Sequence, residues 1–181
     1  HSRALRAKGL LMRQEILTWT QVDRLIDALL PQFRGNFDAM IMITRGGLVP
    51  GGMICEALDI RNVLTAAVDF PADLGSAKLM VWPTFLQFPD DSLLTGRRVL
   101  VVDDVWGSGR TITAVKNRVE AAGGSPELCV LHYNPQRSLF TKALPTYYAA
   151  FTDAYIIYPW EIDRGGPEGV AVNPAGPLET N

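Results

Sequence analysis

The chain has 181 residues, of which 48% are hydrophobic and 20% charged, and its formal net charge is −2. This length and composition are typical of one globular domain with a sizeable core. A net charge so close to zero gives no electrostatic footprint for nucleic acid or an anionic membrane surface, and no apolar run is as long as a membrane span. The cysteines, Cys55 and Cys129, lie in apolar segments, and only His1 and His132 could join them. The composition therefore favours buried thiols in a reducing cytoplasm over a metal site.

The first elements predicted along the chain are an arm, a strand and a helix. Residues 1–13 are basic and mixed, without the apolar core of a signal peptide. Glu15–Trp19 is a short strand candidate. Thr20 offers an N-cap with Asp23 at the third helical position, and the apolar residues that follow have helical spacing as far as Pro31.

The next segment places a glycine-rich turn between two strands. Asp38–Thr44 is nearly continuous apolar sequence, which is typical of a strand buried on both faces. The turn Arg45–Gly52 leads to a predicted helix of about Met53–Leu58. Asn62–Asp69 is the next predicted strand.

Residues 70–95 contain three prolines and lack a clean period, which predicts a long loop or a short hairpin. Long loops in compact domains are often lids. An irregular tail is expected from residue 165 onward. The remaining predicted elements are strand 97–104, helix 111–122 with a stop at Gly123 and Gly124, strand 127–133 and strand Tyr147–Phe151.

Strands that alternate with helices predict an α/β fold, a mostly parallel sheet flanked by helices in a single domain. In such sheets the binding site lies at the carboxyl ends of the strands. The two glycine-rich turns, after Thr44 and after Asp104, both follow strand ends. We therefore expect them to face the same crevice.

Residues 99–111, Val-Leu-Val-Val-Asp-Asp-Val-Trp-Gly-Ser-Gly-Arg-Thr, are the most informative segment. Asp103 and Asp104 end an apolar run, and carboxylates suit vicinal hydroxyls and Mg2+. The residues Trp106–Thr111 then supply glycines for close backbone approach, hydroxyl donors, an arginine and a helix N-terminus, which together suit a phosphate. The alternative is an acid pair that only caps the following loop.

A second candidate anion cradle is Thr44–Gly51, Thr-Arg-Gly-Gly-Leu-Val-Pro-Gly. Arg45 can bind a phosphate through two parallel hydrogen bonds. The alternative is a turn whose glycines are needed for positive φ angles.

Residues 103–111 resemble the phosphoribosyl-pyrophosphate signature of type I phosphoribosyltransferases. Further stretches, in the same order over about residues 14–163, are similar to the xanthine-guanine branch of that family. These stretches are Leu17–Trp19, Ile43–Gly51, Ile60–Val63 and Ile157–Glu161. The resemblance implies the same α/β sheet with a small hood from the N- and C-terminal segments, and a homodimer or homotetramer.

The resemblance also implies transfer of ribose 5-phosphate from phosphoribosyl pyrophosphate to a purine nitrogen, with inversion at the anomeric carbon and release of pyrophosphate. Catalysis would rest on alignment and on stabilising the departing negative charge. Asp103 and Asp104 would hold the ribose hydroxyls, directly or through Mg2+, and would be catalytic together with Arg45. The implied substrate-binding residues are Thr44, Gly46 and Gly47 for pyrophosphate, Trp106, Gly107, Ser108, Gly109, Arg110 and Thr111 for the 5-phosphate cradle, and Asn134, Tyr155 and Ile156 for the base.

Two departures from the family pattern concern the base. Enzymes for 6-oxopurines carry, at the position of Gly107, an Asp that handles the purine N7 proton, and glycine has no titratable group. Their Lys that reads the 6-oxo group is matched here by Asn134, whose amide can face either an oxo or an amino group. The resemblance therefore specifies the phosphoribosyl donor and leaves the base open.

Three further positions keep two interpretations each. Tyr155 is either a purine-stacking ring or a core aromatic residue. Residues 69–95 are either a mobile loop over the donor or a hairpin whose aromatic residues pack on the body or on a partner subunit, and Lys78 is their only basic residue. His132 lies in an apolar strand, which favours a core histidine over a catalyst.

A second class of function is a non-catalytic regulator that binds a nucleotide or phosphoribosyl pyrophosphate on the same fold. The glycine at position 107 favours it. The lack of an added helix-turn-helix or of a basic face for RNA disfavours it. An α/β protein with an inert site is disfavoured by the intact pair of Asp103 and Asp104.

Overall fold

The structure is a computed structural model that describes residues 13–70 and 82–162. It divides into two compact units, one from Asp23 to Asp153 and a smaller one formed by the chain up to Val22 and from Ala154 onward. The basic arm, apart from Arg13, and the tail from residue 165 lie outside the described residues. Within the described ranges no helix has the length and apolar character needed to cross a membrane.

Eight strands and four α-helices make up the described part of the chain, together with short 3-10 turns at Leu30–Gln32 and Asp91–Leu93. The strands are β1 Gln14–Ile16, β2 Ala39–Ile43, β3 Val63–Asp69, β4 Thr84–Gln87, β5 Arg98–Trp106, β6 Ser125–Tyr133, β7 Tyr147–Phe151 and β8 Tyr155–Ile157. The helices are α1 Trp19–Leu29, α2 Leu48–Ala57, α3 Arg110–Ala121 and α4 Pro159–Ile162.

A six-stranded sheet forms the larger unit, in the order β4-β3-β2-β5-β6-β7. All neighbours are parallel except β3 and β4, which form an antiparallel hairpin. This confirms the mostly parallel α/β sheet expected from the alternating pattern. The central strand β2 is buried at all five residues, because helices cover both of its faces.

The two faces of the sheet carry different helices. Helix α3 packs Ile112, Val115 and Val119 into a core cluster that also contains Ile41 and Val101. Successive strand residues point to opposite faces, so Met42, next to Ile41, faces the other way. Helix α2 lies on that second face, since its Gly51 is close enough that an added Cβ would lie 2.7 Å from Met42 Cγ.

Helix α2 begins five residues earlier than predicted, directly after the glycine-rich turn. Pro50 and Gly51 were interpreted as parts of the turn. In the structure Pro50 lies in the first turn of the helix, where proline is tolerated. Gly51 lies inside the helix because the contact with Met42 leaves no room for a side chain.

Strand β5 extends to Trp106, two residues beyond its predicted end, so Asp103 and Asp104 lie inside the strand rather than at its end. Strand β6 likewise begins at Ser125, two residues before the predicted start. Within residues 69–95, strand β4 pairs antiparallel with β3, from Ala67 with Gln87 to Asp69 with Thr84.

The smaller unit is a two-stranded parallel sheet of β1 and β8, paired from Gln14 with Tyr155 to Ile16 with Ile157. Strand β8 has only three residues and was missed in the sequence. The predicted N-cap at Thr20 was wrong by two residues. The cap is Thr18, whose Oγ1 accepts from the Gln21 amide at 3.2 Å while Gln21 Oε1 accepts from the Thr18 amide at 2.8 Å, a reciprocal capping box.

Candidate active site

Two glycine-containing loops leave the carboxyl ends of the neighbouring strands β2 and β5. The first, Thr44–Gly47, connects β2 to α2, and the second, Gly107–Gly109, connects β5 to α3. Because β2 and β5 are hydrogen-bonded neighbours in parallel, both loops lie at the same edge of the sheet. This edge is where α/β sheets bind ligands, as expected from the sequence.

Gly46 packs directly against Asp104. A Cβ added at Gly46 would lie 2.5 Å from both Cγ and Oδ2 of Asp104, a distance that real side chains do not adopt. Neither Gly46 nor Gly47 has a positive φ angle. The positive-φ interpretation of this turn was therefore wrong. The glycine at 47 is required by close approach to backbone, because a Cβ there would collide with the Val102 carbonyl oxygen, whereas Gly46 packs against the end of the Asp104 side chain. The peptide bond between Thr44 and Arg45 is cis.

Asp103 lies beside the second loop. Its Oδ1 accepts a hydrogen bond of 2.9 Å from the backbone N–H of Asp104. Burial and the adjacent Asp104 carboxylate raise the pKa of Asp103 well above its ordinary value. The acid pair thus connects the two loops, with Asp103 at the second and Asp104 at the first.

The second loop forms a concave pocket with the start of α3. Gly109 adopts a φ angle of +79° as the N-cap, and an added Cβ there would collide with the Trp106 indole. The pocket adjoins the N-terminus of α3, a position that suits an anion. The pocket is lined by Asp103, Val105, Gly107, Ser108, Gly109, Arg110, Thr111 and Ile112.

Trp106 supports the loop from the protein interior, and its ring is not positioned to contact a ligand. The indole is fully buried, and its Nε1 donates to Ser138 Oγ at 3.2 Å. The backbone N–H of Leu139 donates to the Ser108 carbonyl at 3.0 Å, and the Asn134 N–H donates to the Trp106 carbonyl at 2.9 Å. Sequence reasoning missed Ser138 and Leu139, because nothing in a loop sequence shows which distant turn it will contact.

Gly107 differs from its neighbours in having free space around it. A Cβ added there would meet no atom within 4 Å, and its φ angle is not positive. Glycine is therefore not required at this position by sterics. The position where 6-oxopurine enzymes carry an Asp has room for a side chain.

Arg45 is exposed, and no carboxylate of a described residue forms an ion pair with it. Arg45 follows β2 at the same edge as Gly46. Because no carboxylate in residues 13–70 and 82–162 pairs with it, this guanidinium group suits the predicted role at pyrophosphate.

The residues predicted for the base are divided between the two units. Asn134 follows β6 and is 2% exposed, and its Oδ1 accepts from the Arg137 N–H at 3.2 Å. Tyr155 and Ile156 lie on β8 in the smaller unit, where the Tyr155 N–H donates to the Arg13 carbonyl at 2.8 Å. Ile156 is buried, and Tyr155 is partly buried.

Of the residues outside the pocket, His132 and Cys129 are buried as expected, whereas Cys55 is only partly buried. His132 is 5% exposed, and burial lowers its pKa to about 4. Burial also raises the pKa of both Cys55 and Cys129, so neither is a reactive thiolate. In the described part of the chain, no group of three or more His, Cys, Asp or Glu side chains is placed to hold a metal.

The aromatic residues of the β3–β4 hairpin behave in two ways. Phe85 and Phe88 contact each other edge to face at 5.2 Å and pack against the core cluster, as one of the two interpretations predicted. Trp82 is instead 86% exposed. Lys78 lies outside the described residues.

Two glycine loops and an acid pair at the carboxyl edge of a parallel sheet are features of α/β proteins that bind phosphorylated ligands. The comparison with family models is more specific, since the phosphoribosyl transferase domain matches residues 13–154. The chain belongs to this family.

The relatives agree with this assignment. The xanthine-guanine phosphoribosyltransferase of Ruegeria sp. (strain TM1040) is 28% identical over 155 residues, which cover 81% of this chain and 84% of the relative. The purine phosphoribosyltransferase of Pyrococcus horikoshii is 29% identical, with a TM-score of 0.70 over 88% of this chain and 99% of that one. A hypothetical protein from Neisseria gonorrhoeae with bound ppGpp, 24% identical, shares the fold with a TM-score of 0.71 over 84% of this chain and 92% of that one.

Proposed function

We propose that this protein transfers the ribose 5-phosphate group of phosphoribosyl pyrophosphate to a purine-type base and releases pyrophosphate. The observation that carries the proposal is the contact of Asp104 with Gly46, which joins two anion-binding loops through one acid pair. A donor with a phosphate at one end and a pyrophosphate at the other requires this arrangement. The family and the purine-type relatives support the same reaction.

In this reaction the pocket at the start of α3 binds the 5-phosphate. The backbone N–H groups of Gly107–Thr111 and the hydroxyls of Ser108 and Thr111 donate to its oxygens, and the positive end of the α3 dipole adds to the attraction. Thr44, Arg45, Gly46 and Gly47 hold the pyrophosphate. Charge that develops on the leaving oxygen is stabilised by donors already in place, which is the main source of rate enhancement in such sites.

Asp103 and Asp104 hold the ribose between these two ends. Carboxylates accept hydrogen bonds from the ribose hydroxyls and stabilise positive charge on the sugar ring as the pyrophosphate leaves. One or both carboxylates of the pair would hold Mg2+, which enzymes commonly bind through one or two carboxylates together with the phosphates of the substrate. When bound, Mg2+ would neutralise negative charge on the pyrophosphate.

For the base, one contact bears on the two interpretations of Asn134. Its Oδ1 accepts from the Arg137 N–H, and no described acceptor pairs with its NH2 group, which would donate to the base. An NH2 group donates, and therefore suits a 6-oxo oxygen better than a 6-amino group. Tyr155 and Ile156 would supply the stacking ring and the neighbouring backbone contact.

The second candidate function is a non-catalytic sensor of nucleotides or phosphoribosyl pyrophosphate. One observation favours it: Gly107 leaves open space where a proton-handling acid would stand. The Neisseria gonorrhoeae structure with bound ppGpp shows a nucleotide on this fold. The intact acid pair and both loops favour the enzyme.

A panel of purine and pyrimidine bases, assayed for pyrophosphate release, separates the two functions. We expect turnover with at least one oxopurine, and its loss in the Asp103→Asn/Asp104→Asn variant. Binding of phosphoribosyl pyrophosphate without turnover on any base would reject the enzyme in favour of the sensor. Absence of both binding and turnover would reject both.

The proposal also includes a homodimer or homotetramer in the cytoplasm, as the family resemblance implies. Multi-angle light scattering of the purified protein tests the first part. A mass of one chain, 19.9 kDa, would contradict it.

A further inference from the structure

Arg110 is the first residue of α3 and lines the phosphate pocket beside Asp103 and Thr111. Its guanidinium carbon lies 4.3 Å from the centre of the Phe70 ring. Phe70 follows directly after Asp69, the last residue of β3, so the ring is attached to the end of a sheet strand. The contact joins residues that are 40 positions apart in the sequence.

Two other arginines of the described chain stack on phenylalanine, and they show what is unusual about Arg110. Arg98 lies over Phe37 and also forms an ion pair with Glu127 at 2.6 Å. Arg118 lies over Phe88 and pairs with Asp91 at 2.7 Å.

Arg110 has the stacked ring but forms no ion pair with any described carboxylate. Stacking occupies the face of a guanidinium group, whereas its five N–H donors point outward in the plane. The donors of Arg110 therefore remain available at the mouth of the pocket.

We infer that Phe70 is a positioning residue for phosphate binding, which holds the Arg110 guanidinium in the orientation that donates to the 5-phosphate. Arg side chains lose considerable rotamer freedom when a ligand fixes them. A stack that orients the group beforehand reduces this loss and strengthens binding. This inference rests on the proposed function, because it assigns the pocket to the 5-phosphate of the donor.

The test compares two ligands by isothermal titration calorimetry on the full chain. Phosphoribosyl pyrophosphate occupies both loops, whereas pyrophosphate lacks the 5-phosphate and needs only the Thr44–Gly47 loop. In Phe70→Leu we expect the Kd of phosphoribosyl pyrophosphate to rise about 3- to 10-fold, the size of a partly exposed cation–π contact, with the Kd of pyrophosphate unchanged. Phe70→Trp should keep the wild-type affinity, because it retains an aromatic face.

Phe88→Leu is the matched control, because it removes the ring stacked on Arg118 at the other end of the same helix. It should leave both affinities unchanged if it folds. Arg110→Lys keeps the charge but loses the planar group, so it should weaken the binding of phosphoribosyl pyrophosphate. The Phe70→Leu/Arg110→Lys double variant should bind phosphoribosyl pyrophosphate no more weakly than Arg110→Lys alone.

Equal affinity of wild type and Phe70→Leu for phosphoribosyl pyrophosphate would overturn the inference. An equal loss of affinity for phosphoribosyl pyrophosphate and for pyrophosphate in Phe70→Leu would also overturn it. Failure of the proposed function gives a different result, since no base would then yield turnover in the wild type. A selective effect of Phe70→Leu on the donor would support the positioning role even in that case.

Discussion

Asp104 occupies the space that a side chain at Gly46 would need, with its Cγ 2.5 Å from the position of an added Cβ. The two residues are 58 positions apart in the sequence, since Gly46 lies in the loop after β2 and Asp104 lies within β5. A side chain at position 46 would therefore displace the Asp104 carboxylate.

Gly46→Ala is expected to lower kcat/KM by about 100-fold, because a shift of about 1 Å in a reacting group costs on that order. Steady-state kinetics with varied phosphoribosyl pyrophosphate measure this effect. Gly52→Ala is the matched control, since a Cβ at Gly52 meets no atom within 4 Å. Gly52 lies inside α2, so its replacement by alanine should retain activity and raise the free energy of unfolding by about 0.5–1 kcal/mol. Wild-type kinetics in Gly46→Ala would falsify the coupling of the two loops.

Gly107→Asp is expected to increase turnover on 6-oxopurines. The site has room for the side chain, and a positioned acid or base contributes about 100-fold or more to such reactions. We expect kcat to rise at least about 10-fold, and the pH profile to gain a limb from the new carboxylate. Gly107→Asn has nearly the same shape but cannot titrate, so it should not show the gain. An equal gain in both variants would mean that packing, rather than proton transfer, is responsible.

His132 is expected to make the protein less stable as the pH falls from 6.5 to 4. Burial lowers its pKa from 6.5 to about 4, so within this range the unfolded chain binds a proton that the folded protein does not. The contribution of neutral His132 to the free energy of unfolding is fully present above pH 6.5. As the pH falls, up to about 3 kcal/mol of it is lost progressively. Urea denaturation at several pH values, for wild type and His132→Gln, measures the difference between the two curves. A difference that does not change with pH would show that folding leaves the pKa of His132 unshifted.

Glu127 anchors a polar cluster at the other end of the sheet. Arg98 donates to it from Nε and Nη2 at 2.6 and 3.0 Å, and the Tyr147 hydroxyl donates to the same carboxylate. Burial opposes ionisation of Glu127, but these hydrogen bonds outweigh it and lower the pKa below its ordinary value of 4.5. The ionised cluster is therefore complete above pH 4.5. Its contribution to the free energy of unfolding is lost as the pH falls further and Glu127 becomes protonated.

Glu127→Gln is expected to lower the free energy of unfolding at pH 7 by about 1–3 kcal/mol, the range for charge-assisted hydrogen bonds. Glu120→Gln provides the comparison, since Glu120 pairs with Lys116 at 2.7 Å on an exposed helix face. It should cost less than about 0.5 kcal/mol. Chemical denaturation of both variants tests the difference, and equal losses would contradict the role assigned to the cluster.

The sheet was predictable because it depends on local patterns. The apolar run Asp38–Thr44 contains β2, and the apolar run Val99–Val102 supplies four of the nine residues of β5. Helix starts were less predictable. Thr18 is the true cap of α1 because its partner Gln21 completes a capping box, whereas Thr20 offered only a plausible side chain.

The order of residue types along the chain was enough to indicate a parallel α/β sheet, two glycine loops at strand ends and an acid pair, and the resemblance of residues 103–111 to a family signature implied a phosphoribosyl donor. Which residues meet across those loops was decided only by the tertiary structure. Gly46 contacts Asp104, Trp106 contacts Ser138, and Arg110 stacks on Phe70. Each contact joins segments whose separation in the sequence carries no periodic signal. Such pairs arise from strand order and helix packing, and a local pattern of hydrophobicity or of turn residues does not encode either of these for a single pair.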